Sequence, residues 1–205
     1  MRELPMFPLG TVLFPHMVLP LHIFEPRYRD LVADVLAGDG EFGVVLISRG
    51  HEVGGGELRT DVGTIAKVLQ AEELDDGRWI VVAVGTGRFR VERWLPDDPY
   101  PRAEVVDLTE EQSEGAQERW RELAPRLRRV LAMQTELGED AVPADFDLAE
   151  DPRMACWQGA VLSPLNPHDA QRVLVTERWD ERLDLVDELL EGVEEVLSYR
   201  LAEDR

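Results

Sequence analysis

The chain has 205 residues, 44% of them hydrophobic and 31% charged, which supports a packed core and excludes a disordered or low-complexity chain. Acidic residues outnumber basic ones 42 to 22, giving a net charge of −20 spread over both halves, so nucleic acid and anionic membrane surfaces are disfavoured as partners. The single cysteine, Cys156, excludes an internal disulfide and a multi-cysteine zinc site; within MACWQGAVL it reads as a small buried apolar side chain.

The N-terminus, MRELPMFPLG, has no charged segment followed by an unbroken apolar stretch, and no window approaches the roughly eighteen apolar residues of a membrane span. A cytoplasmic location is expected. From 1 to about 110 the chain is rich in β-branched residues, glycine and turn signals. Its opening apolar segments are broken by Pro5, Pro8, Pro15 and Pro20, as suits short edge or bulged strands. MVLPLHIF reads as a strand. After Glu25-Pro26, the spacing of Tyr28, Leu31, Val32, Val35 and Leu36 predicts a helix with one apolar face, ended by Gly38 or Gly40.

Strands are expected at 42–48 and 63–74, separated by a loop around Gly54, Gly55 and Gly56, with a hairpin at Asp76-Gly77 leading into WIVVAV. Gly85 and Gly87 read as a second glycine loop. In 88–92, Arg88 and Arg90 alternate with Phe89 and Val91, which predicts a half-buried strand with both arginines solvated. RAEVVDL closes a set that fits a compact, partly open β-barrel better than a parallel sheet.

The segment 111–205 is helical. Trp120, Leu123, Leu127, Val130, Gln134 and Leu137 mark one helix, with Pro125 as a kink or a new start. Met154, Trp157, Val161 and Leu162 mark another, ended by SPLNP. A short helix at 168–175 precedes a long one from about 178, whose stripe through Trp179, Leu183, Val186, Leu190, Val193 and Leu197 favours an intramolecular bundle over a coiled coil. Two domains follow, 1–110 and 111–205.

No catalytic chemistry assembles. The only lysine, Lys67, lies in a strand pattern between Ala66 and Val68, away from any Walker-type phosphate loop, and reads as solvated. Ser48, Ser113, Ser163 and Ser198 lack a nucleophile-elbow context. His16, His22, His51 and His168 have no i, i+4 pairing and read as turn or surface residues. No catalytic residue, metal ligand or cofactor site is assigned.

The stretch LPMFPLGTVLFPHMVLPLHIFEPRYRDLV at 4–32, with FPLG, LFP and LPLHIFEPRYR in register, resembles the opening of the Lon protease N-terminal substrate-binding domain. The resemblance continues through FGVVLI, VGTIAKV, DGRWIVVAVGTGRFRV and DAQRVLVTERWDERLDLVDELLEGVEEVL, spanning nearly the whole chain. It implies an α+β fold, with a PUA-like β pseudo-barrel carrying one helix and then a C-terminal helical bundle. Full-length Lon proteases append an AAA+ module and a Ser–Lys peptidase, and this sequence ends before either.

The resemblance thus implies a non-enzymatic module that binds unfolded or degron-bearing client polypeptides, with a separate protease as a further partner. Two readings of Phe24, Arg27 and Tyr28 stay open. They belong to the start of the helix, with Glu25 complementing its dipole and Tyr28 packing inward, or they border a peptide-binding surface. Small-molecule or RNA binding by a PUA-like barrel, and an unrecognised hydrolase, are the alternative functions.

Overall fold

The computed structural model describes residues 1–50, 56–110, 115–139, 141–145, 147, 149 and 151–203. His51, Gly54, Gly55 and Ser113 lie outside them. The described residues form two compact units, Met1–Thr109 and Glu110–Arg205.

The first unit holds strands β1 (Arg2–Leu9), β2 (Val18–Ile23), β3 (Glu41–Arg49), β4 (Leu58–Glu73), β5 (Trp79–Leu95) and β6 (Arg102–Leu108), with helix α1 (Pro26–Ala37) between β2 and β3. Strand order is β2-β5-β4-β3-β1-β6, and β5 also pairs with β6. Five strands therefore close on themselves, while β2 extends from β5 as a free edge. This is the α+β pseudo-barrel that the sequence pattern and the family resemblance lead one to expect.

Prolines Pro5 and Pro8 sit differently from expectation. Strand β1 lies between β3 and β6 in the sheet, not at an edge. It changes partner midway: Arg2 to Pro5 pair antiparallel with β6, and Met6 to Leu9 pair parallel with β3. Each half therefore has one unpaired side, which accommodates a residue without an N–H. Pro15 lies outside the strands, and among the described residues Pro20 lies in β2, the strand at the end of the order.

Gly85 and Gly87 are not in a loop but inside the 17-residue β5. The register passes from Ile65↔Gly87 to Ala66↔Gly85, so Thr86 is the extra residue of a bulge. A Cβ on Gly85 would lie 2.3 Å from the Phe14 carbonyl oxygen, so the close approach of another backbone requires glycine there.

Helix α1 starts with Pro26 in its first turn and buries Tyr28, Leu31, Val32 and Val35, whereas Leu36 is exposed. Its apolar face completes a core with Phe7, Leu9, Leu19, Ile23, Phe42, Val44 and Val81. The alternate residues of the same strands, including Leu4, Met6, Val45, Ile65 and Phe89, build a second cluster. Alternation of side chains along each strand thus feeds two cores, one to each face.

The second unit contains α2 (Ala116–Glu136), α3 (Pro152–Leu162), α4 (Pro167–Val175) and α5 (Trp179–Glu203). Pro125 lies inside α2 and does not end it. In α3, Ala155, Cys156, Trp157, Gly159 and Ala160 are buried, while Met154 and Val161 are exposed. Ion pairs Arg119–Asp184, Arg126–Asp187 and Arg129–Glu194 advance in the same direction along α2 and α5, so these two helices run parallel. Among the described residues no helix is long and apolar enough to cross a membrane.

Candidate functional site

A groove of about 210 Å³ opens in the first unit, lined by Phe7, Pro8 and Leu9 of β1, Pro20 to Ile23 of β2, and Phe24, Glu25 and Tyr28 at the start of α1. Its two strand walls are unpaired edges. Met6 donates its N–H to the Pro101 carbonyl on the side away from β3, so Pro8, two residues on, faces that same side. Gly85 donates to the Met17 carbonyl, which makes 17 and 85 a hydrogen-bonded pair; Leu19 and Leu21 then face β5, and Pro20 faces the free edge. Both walls therefore carry a proline where an N–H would otherwise point outward.

Two of the residues singled out in the sequence, Phe24 and Tyr28, line this groove. Phe24 is 53% exposed, unusual for a large aromatic side chain, whereas Tyr28 is only 4% exposed and packs on Phe7 with ring centroids 4.3 Å apart. Arg27 is not in the lining. Its guanidinium lies 4.4 Å from the centre of the Tyr28 ring, and its Nε donates to Glu25 Oε2 at 3.2 Å. Glu25 makes no side-chain cap on α1; its carboxylate is engaged by Arg27 instead.

The Tyr28 hydroxyl is buried and has no hydrogen-bond partner among the described residues. Burial pushes its pKa up to about 12, with Glu57 and Glu25 adding to the rise and Arg27 opposing it. No lysine or arginine lines the groove. It thus offers chiefly apolar area, with Glu25 and His22 as the polar side chains of its lining. A larger hollow of about 340 Å³ in the second unit is lined by Gly115, Glu118, Arg119, Glu122 and Asp180. Arg119 is already paired there with Glu122 and Asp184, and the lining has no apolar wall for a ligand to cover.

A family model, that of the ATP-dependent protease La (LON) substrate-binding domain, matches residues 3–192. This chain belongs to the Lon substrate-binding domain family. A Lon protease from Brevibacillus choshinensis is 26% identical over 201 residues, which cover 96% of this chain and 26% of the relative. The chain thus spans about a quarter of the length of the curated relatives it matches, and the match is to the substrate-binding domain alone.

Among solved structures, a Lon N-terminal domain protein from Xanthomonas campestris aligns with a TM-score of 0.63 at 27% identity, covering 90% of this chain and 96% of that one. The N-terminal domain of Mycobacterium avium complex Lon protease aligns with a TM-score of 0.69 at 18% identity, covering 93% and 98%, and supports the fold.

Other candidate residues of this Lon-type domain are engaged structurally. Lys67 donates to the Asp39 carbonyl, Ser48 to the Leu58 carbonyl and Ser163 to the Gly159 carbonyl. His16, His22 and His168 are exposed. Cys156 is fully buried with its thiol directed to the Trp179 carbonyl, as its apolar surroundings suggest.

Arg88 departs from expectation: it is 1% exposed, while Arg90 is solvated. Thr64, directly opposite Arg88, sends its hydroxyl to the Leu13 carbonyl at 2.5 Å, so the buried segment 12–15 covers that face of the sheet. Strand alternation carries no information about a segment distant in sequence.

Proposed function

We propose that this domain is a non-catalytic protein-binding module that holds unfolded or degron-bearing segments in the groove bordered by Phe24, Arg27 and Tyr28, for delivery to a protease. The observation that carries this reading is Phe24, an aromatic side chain more than half exposed at an apolar groove. Covering its exposed half contributes about 1–1.5 kcal/mol, a sizeable share of the binding energy of a weak complex. Arg27, stacked on Tyr28 and paired with Glu25, holds the aromatic wall from behind.

The net charge of −20 and the lack of lysine or arginine in the lining weigh against RNA. A volume of about 210 Å³ is also below the roughly 300–1,000 Å³ of pockets that enclose drug-sized ligands. The test is titration of the purified chain and its Phe24→Ser variant with a reduced, carboxymethylated unfolded protein. Binding by the parent, weakened about tenfold by the substitution, supports the reading. No binding by the parent, or casein degradation by it with or without ATP, overturns it.

A further inference from the structure

We infer that helix α5, in the second unit, carries a docking face for a basic amphipathic helix of another protein. Two apolar stripes run along α5. The one through Leu183, Val186, Leu190 and Leu197 is buried. The other passes through Leu185, Leu189, Gly192, Val196 and Tyr199 in steps of four, three, four and three residues, roughly a third of a turn round the helix. Leu185 and Leu189 are half-buried, while Val196 is 60% and Tyr199 66% exposed. Alternating steps of four and three present a seam to a second helix rather than to an extended peptide.

Gly192, at the middle of this stripe, is an independent sign of close approach. Glycine weakens a helix interior relative to alanine, a cost that close packing can offset. On α3, Gly159 is so used: a Cβ there would lie 3.0 Å from the Trp120 ring. At Gly192 a Cβ would meet nothing within 4 Å, so packing among the described residues does not require the glycine. What it permits is a partner helix seated close to the α5 backbone.

Charge selects the partner. Toward α2, Asp184, Asp187 and Glu194 are matched by Arg119, Arg126 and Arg129. Beside the open stripe, Glu188 and Glu195 are exposed, seven residues apart, and have no ion pair among the described residues. A helix with Lys or Arg at seven-residue intervals along its apolar face pairs with both. A second copy of this chain does not. Antiparallel, it sets Glu188 against Glu195. Parallel, it brings Val193 to Glu188, and to Glu195 only Arg200, which Glu139 already holds. The net charge of −20 adds to the repulsion between copies.

The probes are peptides of about 21 residues, three heptads with Leu at the seam and Lys beside it, the same peptide with Glu for Lys, and the basic peptide in scrambled order. Each is titrated to millimolar concentration against the full chain at low ionic strength, with amide chemical shifts as readout. The basic peptide should bind and shift amides of 185–199, and the acidic and scrambled peptides should bind about tenfold or more weakly. Glu188→Lys combined with Glu195→Lys should weaken the basic peptide about tenfold and admit the acidic one. Gly192→Met should raise the melting temperature by about 2 °C, because methionine is the better helix former, yet weaken the basic peptide several-fold by holding it off.

Equal binding of the scrambled or acidic peptide would overturn the inference. So would affinity for the basic peptide unchanged by the charge reversal, shifts confined to residues outside α5, or tighter binding by Gly192→Met, which would mean that the added side chain only enlarges an apolar surface. A parent dimer dissociated by Tyr199→Asp would assign the stripe to a second copy instead, and no response to any peptide would leave α5 without a docking role.

Discussion

The guanidinium of Arg182 lies 3.7 Å from the centre of the Trp157 ring, in a side chain with no solvent exposure at all. Nη1 donates to Glu110 Oε2 at 3.1 Å and Nη2 to the Thr176 carbonyl at 2.6 Å, while the buried Nε has no partner among the described residues. A buried cation persists only when stacking, an ion pair and carbonyl contacts replace its hydration, and all three are present. Arg182→Ala would remove them together and leave a cavity beside Trp157. The expected loss is about 3 kcal/mol, read as a lower urea midpoint at unchanged slope. Arg182→Met, which keeps volume and a polarisable contact with the ring, should lose less.

How far the sequence discloses such residues depends on the range of the determinant. Helix α1 follows from its own spacing, because Tyr28, Leu31, Val32 and Val35 share one face whatever lies opposite. Arg182 was within reach: it stands three residues after Trp179 and four before Val186, on the apolar stripe of α5, and a charge there signals a buried partner. Arg88 was not, since the segment that covers it arrives from residues 12–15. The change of partner along β1 is equally non-local. The groove was half legible. Phe24 and Tyr28 could be singled out from the motif, whereas the pairing that turns Pro8 and Pro20 toward the groove emerges only with the sheet register.

Tyr28 and Tyr100 form a matched pair of buried tyrosines with opposite hydrogen-bonding. The Tyr100 hydroxyl donates to Asp34 Oδ2 at 2.6 Å, whereas that of Tyr28 has no partner among the described residues. Removing a hydroxyl that bonds a carboxylate costs about 1.5 kcal/mol, while removing an orphan relieves a desolvation penalty of about 1 kcal/mol. Thermal melts should therefore rank Tyr28→Phe above the parent and the parent above Tyr100→Phe. The reverse order would mean that the Tyr28 hydroxyl is satisfied in solution.

Alkaline stability follows from the same two groups. Burial raises both to about 12, with the bond to Asp34 adding to the rise at Tyr100. Between about 10 and 12 the unfolded chain has released these protons and the folded chain still holds them. The unfolded state therefore binds fewer protons, and stability, fully present below about pH 10, must fall as pH rises through this window. Denaturant midpoints measured across that range should decline in the parent and decline less in either Phe variant.

Gly63 sets the packing of the second core of the barrel. A Cβ there would lie 2.2 Å from the Val44 carbonyl oxygen and 2.7 Å from the ring of fully buried Phe89. Both obstacles are rigid, one a backbone atom of the neighbouring strand and the other a packed ring. Gly63→Ala should destabilise by about 3 kcal/mol, well beyond the few tenths expected of a surface strand position. Pairing Gly63→Ala with Phe89→Leu should recover only the ring's share, because the carbonyl contact persists. Melting temperatures of the two single variants and the double variant measure that coupling.

Arg126 is the least exposed of the three arginines that link α2 and α5. It approaches Asp187 at 2.9 Å and Glu191 at 3.9 Å, with a side chain 27% exposed, against 51% for Arg119 and 60% for Arg129. Exposed pairs contribute only about 0.2–1 kcal/mol each, so Arg119→Gln and Arg129→Gln should stay near the lower end. Arg126→Gln leaves Asp187 and Glu191 facing each other at i, i+4 on one helix, a like-charge pair that destabilises further. A loss of about 1 kcal/mol is expected for it at low ionic strength. Molar salt shortens the screening distance to about 3 Å and weakens both the lost attraction and the new repulsion. The gap between Arg126→Gln and the parent should therefore narrow in a chloride titration; a gap that persisted would mean that Arg126 acts through packing of its stem between the helices rather than through its charge.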